Sequence, residues 1–94
     1  MLSDLNSNEK VFFGLRDQIG NVMDCIDVFQ EADDYTSMYY AIYHTMIHDE
    51  FRLKLATAKD LETWLYLKEI DRDAFNGRMR VMDDGGYLLA YEKL

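Results

Sequence analysis

The chain has 94 residues, 49% of them hydrophobic, with 18 acidic against 10 basic side chains and a net charge of −8. That is long enough for one modest core over residues 1–94 and too apolar for a disordered segment. The acidic balance opposes direct contact with a nucleic-acid backbone or an anionic membrane, and a lone cysteine excludes an intramolecular disulfide framework.

The N-terminal Met1-Leu2-Ser3-Asp4 carries neither a basic nor an apolar leader pattern. The longest uncharged stretch, Tyr35 to His48, is too short and polar to span a bilayer, so a cytoplasmic protein is expected. From Ser7 to Ala32 the apolar residues Phe12, Leu15, Ile19, Val22, Ile26 and Phe29 recur at helical spacing, which predicts a first amphipathic helix capped by Ser7. Gly14 and Gly20 weaken this helix, and Gly20-Asn21 is where it would bend. A second helix is predicted from about residue 35 to 49. Met38, Tyr39, Ile42 and Met46 form its main stripe, and Tyr40, Tyr43 and Ile47 extend the apolar surface around most of its circumference.

Phe51 to Leu55 alternates as a half-buried strand does, although Leu53 also extends the preceding helical stripe. A third helix follows, capped by Thr57 with Asp60 at capping-box distance, with Leu61, Trp64 and Leu65 facing inward. The chain closes in a β-hairpin: Arg78 to Met82 alternates, Asp83-Asp84-Gly85-Gly86 forms the turn, and Tyr87 to Tyr91 returns. The expected class is therefore α+β: two N-terminal amphipathic helices, a third helix, and a small antiparallel sheet that includes the C-terminal hairpin.

Charge is distributed unevenly. Residues 17–51 hold eight acids and no Lys or Arg, while the rest of the chain is balanced. On the predicted first helix Asp17, Asp24, Asp27, Glu31 and Asp34 fall opposite the apolar stripe. Asp17, Asp24 and Glu31 recur every seven residues, a row at about 10 Å intervals. Such a row imitates successive phosphates and fits the Lys/Arg groove of a nucleic-acid-binding protein. The plain alternative is a solvated face that keeps the protein soluble. Phe13 and Met23 point toward that acidic side, either beneath another part of the fold or as apolar anchors of a binding surface. Tyr35, Tyr39, Tyr40 and Tyr43 lie within nine residues, a cluster that suits an interface as well as a core.

His44 and His48 stand at i and i+4 with Asp49 adjacent, but no further His or Cys completes a metal set, so neither metal nor cofactor is expected. Cys25 lies beside Asp24 and Asp27, which disfavour its thiolate and with it a nucleophilic role. No phosphate loop, nucleotide fingerprint or nucleophile elbow is present, and the protein is read as non-enzymatic.

In profile the chain resembles the small acidic inhibitors and immunity-type proteins of phages and other mobile elements. That resemblance implies a non-catalytic, DNA-mimicking inhibitor of anti-CRISPR or anti-restriction type. Asp17, Asp24, Asp27, Glu31, Asp34, Tyr35, Tyr39, Tyr40 and Tyr43 would be the partner-binding residues on a basic nucleic-acid-handling protein. The alternative is a homo-oligomeric assembly module, in which a second copy covers the tyrosine-rich helix.

Overall fold

A computed structural model describes residues 15–30 and 38–94. The described residues are all-β, which overturns the α+β expectation. Six strands run β1 (Asp24–Phe29), β2 (Tyr39–Ile47), β3 (Glu50–Ala58), β4 (Leu65–Arg72), β5 (Ala74–Val81) and β6 (Tyr87–Lys93). They form an antiparallel four-stranded sheet in the order β1-β2-β3-β4 and a separate β5-β6 hairpin.

None of the three predicted helices exists among the described residues, and each gave way for a physical reason. The apolar second helix is β2, a central strand covered on both faces. Apolarity all round its circumference marks a doubly buried strand as readily as a buried helix, and its Tyr, Ile and Thr content favours the strand. In the predicted first helix, residues 15–23 double back on themselves. Arg16 bridges Val22, and the Met23 N–H donates to the Leu15 carbonyl at 2.9 Å. Gly20 sits in that turn at φ +92°, a conformation outside the helical region.

The predicted third helix does not form: Thr57, its expected cap, lies within β3, and the only trace of a helix start is at Asp60. Asp60 Oδ1 accepts the N–H groups of Glu62 and Thr63 as an N-cap would. Trp64, 1% exposed, then drops into the core and carries the chain into β4. Residues 51–55 are strand, within β3, and the C-terminal hairpin forms around the Asp83–Gly86 turn.

The larger sheet is buried on both sides. Its front face carries Ala41, Tyr43, Ala56 and Ala58, packed under Met23, Trp64 and Leu15. Its back face carries Ile42 and Leu53, packed against Ala74, Met79 and Leu89 of the hairpin. Two further devices set the geometry. β2 and β3 are joined by His48-Asp49, both at positive φ between the paired residues Ile47 and Glu50, a turn of type I′ whose twist suits a hairpin. At Asp73, φ 54°, the chain leaves one sheet for the other, and its N–H donates to the Phe51 carbonyl at 2.7 Å.

Candidate functional site

The acidic row disappears with the helix that was to carry it. In an extended strand neighbouring side chains point to opposite faces, so acids spaced for one helix face separate. Asp17 is 4% exposed and serves the interior. Its carboxylate accepts the Tyr43 hydroxyl at 2.6 Å, the Asn21 Nδ2 at 2.9 Å, and the peptide N–H groups of Asn21 and Ile19 at 2.9 and 3.2 Å. Asp24 is exposed at the start of β1. Asp27 faces the hairpin, where its Oδ2 accepts the Met79 N–H at 2.7 Å. Glu31, Asp34 and Tyr35 lie outside the described residues, as does Phe13.

The tyrosines divide likewise, and no tyrosine-rich helix joins them. Tyr43 is buried on the front face, Tyr39 packs at that cluster's margin, and Tyr40 lies on the back face. Met23, placed by the sequence on the acidic side, is a core residue at 2% exposure.

What the fold assembles instead is an apolar cleft between the sheet and the hairpin. Its volume is about 230 Å³ and its walls are Phe29, Tyr40, Ile42, Leu55, Ile70, Met79 and Tyr87. Ile42 and Leu55 are register partners on adjacent strands and form the floor. Phe29 stacks on Tyr40 at 5.6 Å and 25°, and Tyr87 meets Phe29 edge-on at 6.0 Å and 65°, so the two sheets share an aromatic rim. The Asp27–Met79 hydrogen bond pins the hairpin beside the cleft, and the exposed turn acids Asp83 and Asp84 lie just before Tyr87. The arrangement suits an apolar side chain with cationic neighbours: apolar area for the first, carboxylates for the second.

The sequence places Phe29 and Ile42 in the interior and offers the Tyr87–Tyr91 strand only as an edge that could pair with a partner's sheet, while Leu55, Ile70 and Met79 carry no binding signal. The alternation Arg78-Met79-Arg80-Val81 already turned Met79 inward. Only the crossing of the two sheets brings it over Ile42.

The histidines form no pair. His44 lies in β2 and His48 in the following turn, and four residues of strand span about 13 Å. His44 packs edge-on against Phe51 at 5.3 Å and Phe75 at 6.2 Å, and its Nδ1 accepts the Asn76 N–H at 3.1 Å. Accepting that bond makes it neutral, with its proton on Nε2. Burial holds its pKa below the ordinary 6.5, and the carboxylate of Asp24 only partly offsets this. A depressed pKa means that the unfolded chain binds the proton more readily, so this contribution is complete above 6.5 and is lost as pH falls through the lower folded value. Urea midpoints are therefore expected to fall across that interval, and His44→Gln should flatten the decline. An equally steep decline in His44→Gln would assign it elsewhere.

Cys25 is exposed, at φ 50°, in the β1 bulge between Asp24 and Asp27. Among the described residues no three His, Cys, Asp or Glu side chains are grouped to hold a metal ion, and no helix is long and apolar enough to cross a membrane. Compared with known proteins, the chain matches no family model, no curated protein and no solved structure.

Proposed function

We propose that the protein is a non-catalytic inhibitor that docks on a basic surface of a nucleic-acid-handling protein, its apolar cleft receiving one protruding side chain of that partner. The reading rests above all on the cleft, whose volume of about 230 Å³ and aromatic rim match a single large aliphatic or aromatic anchor. The net charge of −8 supplies the second element, since opposite charge steers association and makes it sensitive to salt. The phosphate-like row of one helix is no part of this version. Its acids are those around the cleft and on the exposed turns. CRISPR effectors, restriction enzymes, nuclease toxins and polymerase subunits all present surfaces of the required kind.

The test is capture by the tagged protein from a host lysate, washed at low and at high salt, with bound proteins identified by mass spectrometry. A basic nucleic-acid-binding protein released by salt is the expected recovery. Its affinity should fall on the order of tenfold or more with Tyr40→Ala, and less, with a flatter salt dependence, when Asp24→Asn and Asp83→Asn are combined. Capture that survives both sets of changes would overturn the proposal.

A further inference from the structure

Every edge strand presents a row of peptide groups that a second chain can pair with, and native sheets blunt such edges with bulges and charges. The larger sheet does so on both sides. β1 is bulged between Asp24 and Asp27, and β4 meets β3 through two register shifts, with Lys68 and Glu69 between its ends. In the hairpin the irregularity lies on β5, between Phe75 and Arg78. β6 itself runs regularly over seven residues, and Tyr87 to Tyr91 carries no charge. Leu88 is 57% exposed and Tyr91 38%.

The direction of the peptide groups along β6 follows from its two ends. The Gly86 carbonyl accepts the Met82 N–H at 2.8 Å, and the Leu94 N–H donates to the Asp73 carbonyl at 2.9 Å, so both residues turn toward the β5 side. Alternation in an antiparallel ladder then aims the peptide groups of Leu88, Ala90 and Glu92 at β5, and those of Leu89, Tyr91 and Lys93 away from it. Among the described residues no strand pairs with that outer edge.

We infer that β6 pairs antiparallel with β6 of a second copy about a two-fold axis at Leu89, joining two hairpins into one four-stranded sheet. The occupant follows from the edge's own sequence. Tyr87-Leu88-Leu89-Ala90-Tyr91 is nearly palindromic. A two-fold axis at its centre sets Leu89 against the second copy's Leu89, Leu88 against Ala90 and Tyr91 against Tyr87. Leu89 and Tyr91 are the residues whose peptide groups point across the seam, so register and hydrogen-bond parity agree. At the ends the charges are complementary in sign: the same register carries the Asp83-Asp84 turn of each copy to the neighbourhood of Lys93 on the other, whose half-exposed ammonium also holds Asp71 of its own chain at 2.7 Å. Tyr87 belongs both to the cleft wall and to the seam, but the dimer is argued from the β6 edge and does not depend on the inhibitor reading.

Light scattering at high micromolar concentration is expected to give twice the chain mass of 11.1 kDa. Tyr91→Phe, which gives up only the hydroxyl bond to Asp71, should remain dimeric. Tyr91→Pro gives up that bond too, but also removes one N–H that crosses the seam and none that reaches β5. It should give a monomer with an unchanged far-UV circular dichroism spectrum. Residue-resolved hydrogen exchange on the unaltered protein supplies a check that needs no variant. The amides of Leu89 and Tyr91 should be protected at high concentration and lose that protection on dilution, while Leu88 and Ala90 stay protected throughout. A monomeric mass at high micromolar concentration, or a dimer with Leu89 and Tyr91 amides unprotected, would overturn the inference. Protection at those two amides that does not change on dilution would do so as well.

Discussion

Asp17→Ala is expected to cost about 3 kcal/mol of stability and to lower Tm by roughly 10–20 °C, the largest single effect anticipated here. The side chain accepts four hydrogen bonds, two from peptide N–H groups that shape the 17–21 turn and two from the side chains of Asn21 and Tyr43. Removing it opens the turn and leaves the Tyr43 hydroxyl, on a fully buried residue, without an acceptor. The parallel bridge between Asp17 and Trp64, with the Gln18 N–H donating to the Trp64 carbonyl at 2.9 Å, ties that turn to the start of β4. The loss should therefore reach the packing of Trp64. Tyr43→Phe withdraws one donor and should cost about 2 kcal/mol, while Asp17→Asn keeps one acceptor and should fall between. Denaturant titration of the three variants checks the order. An Asp17→Ala variant no less stable than Tyr43→Phe would mean that the turn needs no carboxylate.

The same site gives acid unfolding a definite sign. Burial alone would raise the Asp17 pKa, but the bonds from Tyr43, Asn21 and the Asn21 and Ile19 peptides outweigh burial and hold it below the ordinary 3.8. A depressed carboxyl binds its proton less readily when folded. Its contribution is therefore present above 3.8 and lost as pH falls through the lower folded value. Burial and the Asp17 carboxylate push Tyr43 far upward, which keeps it a protonated donor throughout. Asp71, in β4, is lowered to about 2 by the Lys93 ammonium, the Tyr91 hydroxyl and the Arg72 peptide. Its hold on β6 should persist to lower pH than most carboxylate contacts.

Gly77→Ala should destabilise the protein by about 1–3 kcal/mol, at a position where backbone torsion is not the reason. A Cβ at Gly77 would overlap Ile42 Cγ2 and come within 3.0 Å of Leu53 Cδ1, and both side chains are fully buried. The hairpin rests its backbone directly on the sheet there, so the added methyl must push the two layers apart. A double-mutant cycle identifies the mechanism. Ile42→Val keeps Cγ2 and should give no relief. Ile42→Ala removes the colliding atom, so Gly77→Ala should cost much less in that background than alone. Equal costs in both backgrounds would refute steric contact as the cause.

The parts of the fold legible in the sequence were those specified locally. The alternation of Arg78 to Met82, the Asp-Asp-Gly-Gly turn and the returning Tyr87 to Tyr91 need no distant residue to be read as a hairpin. Phe51 to Leu55 shows the same alternation, although Leu53 on the preceding helical stripe left a longer helix open. The helices were misread where both periods fit. Phe12, Leu15, Ile19, Val22, Ile26 and Phe29 keep helical spacing, yet Ile26 and Phe29 belong to a strand interrupted by a bulge. Ile26 packs with the front cluster and Phe29 with the back one, so burial of both faces of β1 hides the period of two. In β2 the polar face that would have announced a strand is absent, because both faces are covered.

The acidic character, the lone cysteine and the tyrosine-rich segment were properties of the chain itself, and they stand in the folded protein. Which acids face solvent was not among them. Asp17 became a buried acceptor because the front of the sheet offered it the Tyr43 hydroxyl. Asp27 became a fastening for the hairpin because Met79 arrived opposite it. The cleft is wholly a tertiary product, since its walls come from β1, β2, β3, β4, β5 and β6. Spacing along the chain determines local turns and the faces of a strand. The crossing of two sheets brings together residues with no local relation, so the exposure and partners of each acid were decided by which layer covered which.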